Sequence, residues 1–163
     1  MLEEITQARL KYLYEYDANT GLFKRTENVI RRSPKVYAGT KGRFYLSEKI
    51  DGKNYKMHRL AWLYVYGEMP KNIIDHIDGD PFNNRIENLR DVSDMVNQQN
   101  RRRANKNGSS GYLGVSWASS RNKWCAAICL KGKNMHLGYF DDPKVAHEVY
   151  LNRKREIHEG CVI

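Results

Sequence analysis

The chain has 163 residues, enough for one medium domain or two small ones, and can bury only a modest core. Its 28 Lys plus Arg outnumber 19 Asp plus Glu, and the formal charge of +9 points to a polyanionic partner, nucleic acid ahead of an acidic membrane surface. No run approaches the roughly 18 apolar residues of a membrane span, and the opening MLEEITQARL is acidic where a secretory signal is basic and then apolar, so an intracellular, cytoplasmic protein without a membrane partner is expected.

Residues 2 to 14 are predicted to form a short helix. YDANTGLFKR then reads as a turn at Asn19 and Gly21 running into a strand. The following segment to His58 predicts two further strands, hinged at Gly39 to Gly42 and at Asp51-Gly52, where Asp-Gly is a strong hairpin signal. The apolar density of HRLAWLYVY, residues 58 to 66, predicts a buried helix closed by Gly67 and Pro70, with Leu60, Trp62 and Leu63 in the core.

IIDHIDGDPFNNRIENLRDVS follows as strand, long irregular loop and strand. Ser93 or Asp94 then caps a helix over roughly DMVNQQNRRRA. NKNGSSG, residues 105–111, has the composition of a flexible linker and marks a domain boundary. Three strands are predicted beyond it, with turns at Arg121-Asn122 and Gly132-Lys133. Asp141 or Asp142 with Pro143 opens a final helix whose inward stripe is read as Val145, Ala146, Val149, Arg153 and Ile157, with Gly160 ending it.

Phosphodiester hydrolysis needs a hard cation to offset charge and a base to deprotonate water. In IDHIDGD, adjacent Asp75 and His76 can divide those tasks between them, and Asn97, one turn into the next helix, carries an amide oxygen that can close a metal site. Each taken singly reads as an ordinary turn or surface residue. Asp78-Gly79-Asp80 reads as a turn, and its spacing fails the calcium-loop pattern with Glu at the twelfth position.

HRLAW at 58–62, IDHIDGDPFNNRIENLR at 74–90 and Asn97 together resemble the HNH nucleases, most closely the phage-type branch found in homing endonucleases. The resemblance implies Asp75 and Asn97 as metal ligands, His76 as general base and Asn88 as the supporting Asn that ties the loop and holds the catalytic His. It leaves Asn84 and Arg85 between satisfying loop backbone and touching DNA, and makes His58 a scaffold residue. The family's final His is absent, so one Mg²⁺ or Mn²⁺ on oxygen ligands is expected in place of zinc.

Between Met95 and Phe140 there is no Asp or Glu, while Arg101, Arg102, Arg103, Lys106, Arg121, Lys123, Lys131 and Lys133 all occur. One unbroken sign over a whole module favours phosphate contact, because each placed cation releases counterions. GYLGVSW, KWCAAI, HLGYF and the helix after them resemble the apetala-type DNA-binding domain, which lays a three-stranded sheet in the major groove. Trp117, Arg121, Lys123, Lys131, Lys133, Asn134 and His136 become its candidate DNA contacts. Alternation turns Trp124, Ala126, Ile128 and Leu130 to the helix and leaves Cys125, Ala127, Cys129 and Lys131 on the DNA side, where the family often has Arg. Cys125, Cys129 and His136 are a conceivable zinc set, although cysteines two apart on a strand more often pack.

The expected fold is α+β: a small N-terminal β lead-in and a ββα-metal HNH nuclease, linked to a three-stranded antiparallel sheet packed on one helix. Residues 1–104 form the nuclease domain, 105–111 the linker and 112–163 the apetala-type domain in this reading. The expected activity is metal-dependent cutting or nicking of double-stranded DNA to 5′-phosphate and 3′-hydroxyl ends, in the host cytoplasm if the gene is a phage's. The rival is a catalytically idle DNA-binding protein that keeps the fold. An RNA-associated nuclease ranks third, since no aromatic stacking platform is legible.

Overall fold

The computed structural model describes residues 4–30, 35–102, 104 and 110–161. The chain divides between Ser93 and Asp94 into two compact units, and the fold is α+β in both. Most of the segment read as a linker, 105–109, and also Arg103 and Lys106, lie outside the described residues.

In the first unit Thr6 caps α1 (Gln7–Leu13), its Oγ1 accepting the Arg9 N–H at 3.2 Å. Strands β1 (Tyr14–Asp17) and β2 (Leu22–Arg25) pair antiparallel around a turn in which Gly21 has φ +73°. A short α2 (Glu27–Ile30) follows. Next, β3 (Thr40–Lys41), β4 (Leu46–Ile50) and β5 (Lys53–Lys56) form a sheet in that order. Both turn residues of the predicted Asp-Gly hairpin take positive φ, Asp51 +47° and Gly52 +86°, as a tight right-twisted hairpin requires.

Helix α3 (Met57–Tyr66) ends at Gly67, whose φ of +83° lets its N–H reach back to the Leu63 carbonyl. Met57, Leu60, Ala61 and Leu63 of α3 pack with Leu10, Tyr14, Phe23, Ile50, Ile74 and Leu89 in one core. That core fixes the hairpin of β6 (Ile73–His76) and β7 (Leu89–Val92), since Ile74 and Leu89 anchor it.

In the second unit α4 (Asp94–Gln99) is shorter than the sequence predicts. No residue of α4 is buried, and beyond Gln99 come Asn100 and consecutive arginines, so further turns would order polar side chains without covering apolar surface. Strands β8 (Val115–Ala118), β9 (Lys123–Leu130) and β10 (Lys133–Phe140) form an antiparallel sheet in the order β10-β9-β8. The β9–β10 turn sits at Lys131 and Gly132, φ +49° and +78°, one residue earlier than Gly132-Lys133.

Helix α5 (Pro143–Ile157) is capped by Asp142, whose Oδ1 accepts the Lys144 N–H at 2.8 Å. Its buried face runs Ala146, Tyr150 and Lys154, a correction to the predicted stripe, and Val145 is exposed. The reason is Gly114, where a Cβ would stand 2.0 Å from the Tyr150 ring: the bare glycine backbone seats that ring and sets the helix's rotation.

Candidate active site

The β6–β7 hairpin places Asp75 opposite Arg90 and His76 opposite Leu89. Successive strand residues face opposite ways, so the adjacent Asp75 and His76 meet different surroundings although both are buried. The Asp75 carboxylate is gripped by Arg90, whose Nε and Nη2 donate to Oδ2 at 2.9 and 2.7 Å. A charge-assisted pair of this kind fixes the carboxylate's rotamer.

His76 Nε2 lies 3.2 Å from Asn84 Oδ1, and Asn84 is only 2% exposed. An amide oxygen can only accept, so Nε2 is the donor in this contact. Asn84 is held in turn, because the Tyr16 hydroxyl donates to its carbonyl at 2.7 Å. The irregular loop around Asn84 is tied shut by the carboxylate of Asp78 and the amide of Asn88. The Asn88 Oδ1 accepts the Asp78 N–H, while its Nδ2 donates to Asp78 Oδ1 and to the Asn83 carbonyl, all at 2.9 Å. Asn83 Nδ2 donates to Asp78 Oδ2 at 2.7 Å and the Asp80 N–H to Oδ1 at 2.8 Å. Burial works to raise the Asp78 pKa, and these donors outweigh it and hold the carboxyl below its ordinary range.

Two aromatic rings also flank His76. His58 meets it edge-on with centroids 5.2 Å apart, and Tyr45 lies nearly parallel to it at 6.2 Å. Burial, helped by the nearby charges of Lys56 and Arg59, pushes His58 down to about 3, so it stays neutral. Sequence reasoning missed Asn84 as the partner of His76, Arg90 as the partner of Asp75, and Tyr45 altogether. The first two sit inside the quoted motif, but a hydrogen bond across a loop leaves no periodic signal, and Tyr45 lies thirty-one positions before His76.

The remaining candidates are in the second unit. Asn97 is half-buried on α4, and Arg101 and Arg102 follow it, exposed. Ala126 and Ile128 are buried, and the opposite face of β9 aligns Cys125, Ala127 and Cys129 with Tyr139, His136 and Asn134 of β10. The Arg121 guanidinium stacks over the Tyr139 ring at 4.9 Å, and the His136 ring lies 4.4 Å from Tyr139. Trp117 packs edge-on against Trp124, and Lys123 pairs with Asp141 at 3.2 Å. Lys131 and Lys133 are exposed around the β9–β10 turn. Among the described residues no three His, Cys, Asp or Glu side chains are grouped to hold a metal, so Cys125, Cys129 and His136 do not come together as a zinc set. No helix among them is long and apolar enough to cross a membrane.

A loop clasped by an Asn between two short strands, with a buried Asp-His pair on the first, is the arrangement of an HNH-type protein, and residues 55–99 match the HNH endonuclease family. The chain belongs to that family. It is similar to Protein 3.8 of Escherichia phage T7, with 34% identity over 104 residues that cover 63% of this chain and 84% of that protein. No solved structure gives a significant match.

Proposed function

We propose that the protein is a metal-dependent endonuclease that hydrolyses phosphodiester bonds of double-stranded DNA, with His76 taking the proton from the attacking water through Nδ1. The observation that carries this reading is the Asn84–His76 hydrogen bond, since a base needs one nitrogen fixed as donor so that the other is a defined acceptor. Asn88 acts as a positioning residue through the loop, and Arg90 orients the Asp75 carboxylate.

The donor chemistry suits a hard divalent cation: Asp75 and Asn97 carry oxygen donors, and Mg²⁺ or Mn²⁺ prefer oxygen, keep water and take further ligands from substrate phosphate. Asp75 and Asn97 would hold the ion, which supplies charge compensation for the phosphate and the departing oxygen. With family precedent, the products are 5′-phosphate and 3′-hydroxyl ends. The part of the second unit beyond α4 is read as an apetala-type DNA-binding module, supported by the three strands β8 to β10 with α5 and by the exposed Arg121, Lys131 and Lys133.

A second reading is a catalytically idle DNA-binding protein, favoured by the commitment of Asp75 to Arg90. Plasmid relaxation and linearisation with Mg²⁺ or Mn²⁺ separates the two. Wild type is expected to cut, EDTA to stop it, and His76→Ala to lower the rate at least about 100-fold, the lower end of what a positioned base contributes. If wild type binds DNA but stays inert across metals and sequences, the idle reading replaces the enzyme. Equal cutting by His76→Ala would remove His76 from the role of base.

A further inference from the structure

Strands β3 to β5 supply a second surface beside the nuclease motif. The β3–β4 turn, Gly42 to Tyr45, is closed by the Gly42 N–H donating to the Tyr45 carbonyl at 2.9 Å, and it presents Arg43 and Phe44 at its tip. Phe44 is 61% exposed, well above what an apolar ring needs for folding, since it joins neither hydrophobic core. Tyr45, next along the turn, is the ring that lies nearly parallel to His76.

The cations around the turn are deployed in an unusual way. Arg43 lies over the Phe44 ring at 5.0 Å, Lys56 over Tyr45 at 4.7 Å and Lys41 over Phe82 at 4.6 Å. All three cations are exposed, and among the described residues none is in salt-bridge distance of a carboxylate, whereas Arg9, Arg25, Arg85 and Arg90 each are. From Ala38 to Ser47 there is no acidic residue, and the nearest one in sequence, Glu48, is consumed by Arg25 inside the fold. Across the loop, Asp78 is spent on the Asn83 and Asn88 amides. Positive charge is therefore held against aromatic faces beside the reaction centre, and no carboxylate among the described residues pairs with it.

We infer that Lys41, Arg43, Phe44 and Lys56 form a duplex-DNA grip on the first unit, with the three cations on backbone phosphates and the Phe44 ring inserted into the groove against sugars and base edges. The inference deepens the endonuclease reading and rests on it for the identity of the polyanion. An acidic protein would satisfy the cations but leaves the isolated ring without purpose, whereas DNA-binding proteins commonly combine basic side chains with an apolar wedge. Tyr45 links the grip to the chemistry: the turn that holds the backbone also stacks on His76.

The test is a binding titration by fluorescence anisotropy, with the full-length protein in EDTA, a labelled duplex of mixed sequence and a potassium chloride series. Each phosphate released by the protein lowers the slope of log K against log salt by about 0.9, so Lys41→Ala/Arg43→Ala/Lys56→Ala is expected to reduce it by roughly 2 to 3. Phe44→Ala is expected to weaken binding roughly tenfold with the slope intact, because the ring releases no counterions. Thermal melts check the fold, and Arg43→Ala alone, at the turn tip, gives a slope change of about 0.9 if the triple variant fails to fold. An unchanged slope in the folded variants overturns the proposal, as does a loss confined to single-stranded RNA. Because no metal is present, the result is independent of cleavage. A wild type that cuts nothing under Mg²⁺ or Mn²⁺ removes the endonuclease reading and leaves the binding result to decide the grip.

Discussion

His58 shows how much one buried side chain can record about its neighbours. Its ring is 5% exposed, its Nδ1 finds no hydrogen-bond partner among the described residues, and it touches both His76 and Tyr45. With the folded value pushed down to about 3 from an ordinary 6.5, the unfolded chain binds the proton first as pH falls. The neutral ring's contribution is therefore fully present above about 6.5 and is lost progressively between there and about 3, at up to about 1.4 kcal/mol per pH unit. Denaturant titrations at several pH values should show that slope in the wild type and a flatter one in His58→Phe, which keeps a ring without a titrating nitrogen. Identical slopes would mean that His58 protonates in place.

At the level of elements, the β1–β2 hairpin is a buttress for the site. Gly21 has φ +73°, and a Cβ there would stand 2.5 Å from the Arg85 nitrogen and 2.6 Å from the Asn84 carbonyl carbon. Both are backbone atoms of the loop that holds His76, so neither can swing aside. Gly21→Ala is expected to destabilise the protein by about 2–4 kcal/mol, combining an unfavourable φ with overpacking, and to lower cleavage further by displacing Asn84. A stability loss below about 1 kcal/mol in chemical denaturation would show that the hairpin does not press on the loop. The buried Arg25–Glu48 pair adjoins it: Arg25 also donates to the Lys35 and Tyr37 carbonyls at 3.0 and 2.7 Å, and Glu48 Oε2 accepts the Gly39 N–H at 2.8 Å. A pair satisfied on every side holds the strands in register.

For the whole molecule, the two units divide the chain in a way that composition does not announce. Within the second unit, α4 is tied to α5 and its C-terminal end, since the Gly160 N–H donates to Gln99 Oε1 at 3.1 Å and the Lys154 ammonium donates to the Arg101 carbonyl. The helix that bears Asn97 thus depends on the module that follows it. Deleting residues 108–163 is expected to weaken DNA binding and flatten its salt dependence, and also to loosen α4. Substituting Arg121, Lys131 and Lys133 by Gln in the intact chain isolates the electrostatic part, with the slope falling by about 0.9 for each phosphate that the module no longer neutralises. An unchanged slope there would deny the module its role on DNA.

Much of this protein was legible locally. Asp51-Gly52, Gly67, and Asp142 with Pro143 act through their own backbone preferences, so the hairpin, the end of α3 and the start of α5 follow from a few adjacent residues. The order DH, DG, NN, ENLR and a later Asn likewise marked the family, because a fixed loop needs fixed side chains at fixed intervals. Where α4 stops, which face α5 buries and what touches His76 were settled by packing instead. Asn84, Tyr45 and His58 reach that ring from three separate segments, and contacts of that kind depend on how the core brings the segments together. The sequence alone determined that an Asp-His pair of nuclease type stands in a basic chain. Only the tertiary structure decided that Asn84 faces Nε2 of His76 and that Arg90 holds Asp75, since partners that meet across a loop or a strand pair are chosen by how the backbone is folded.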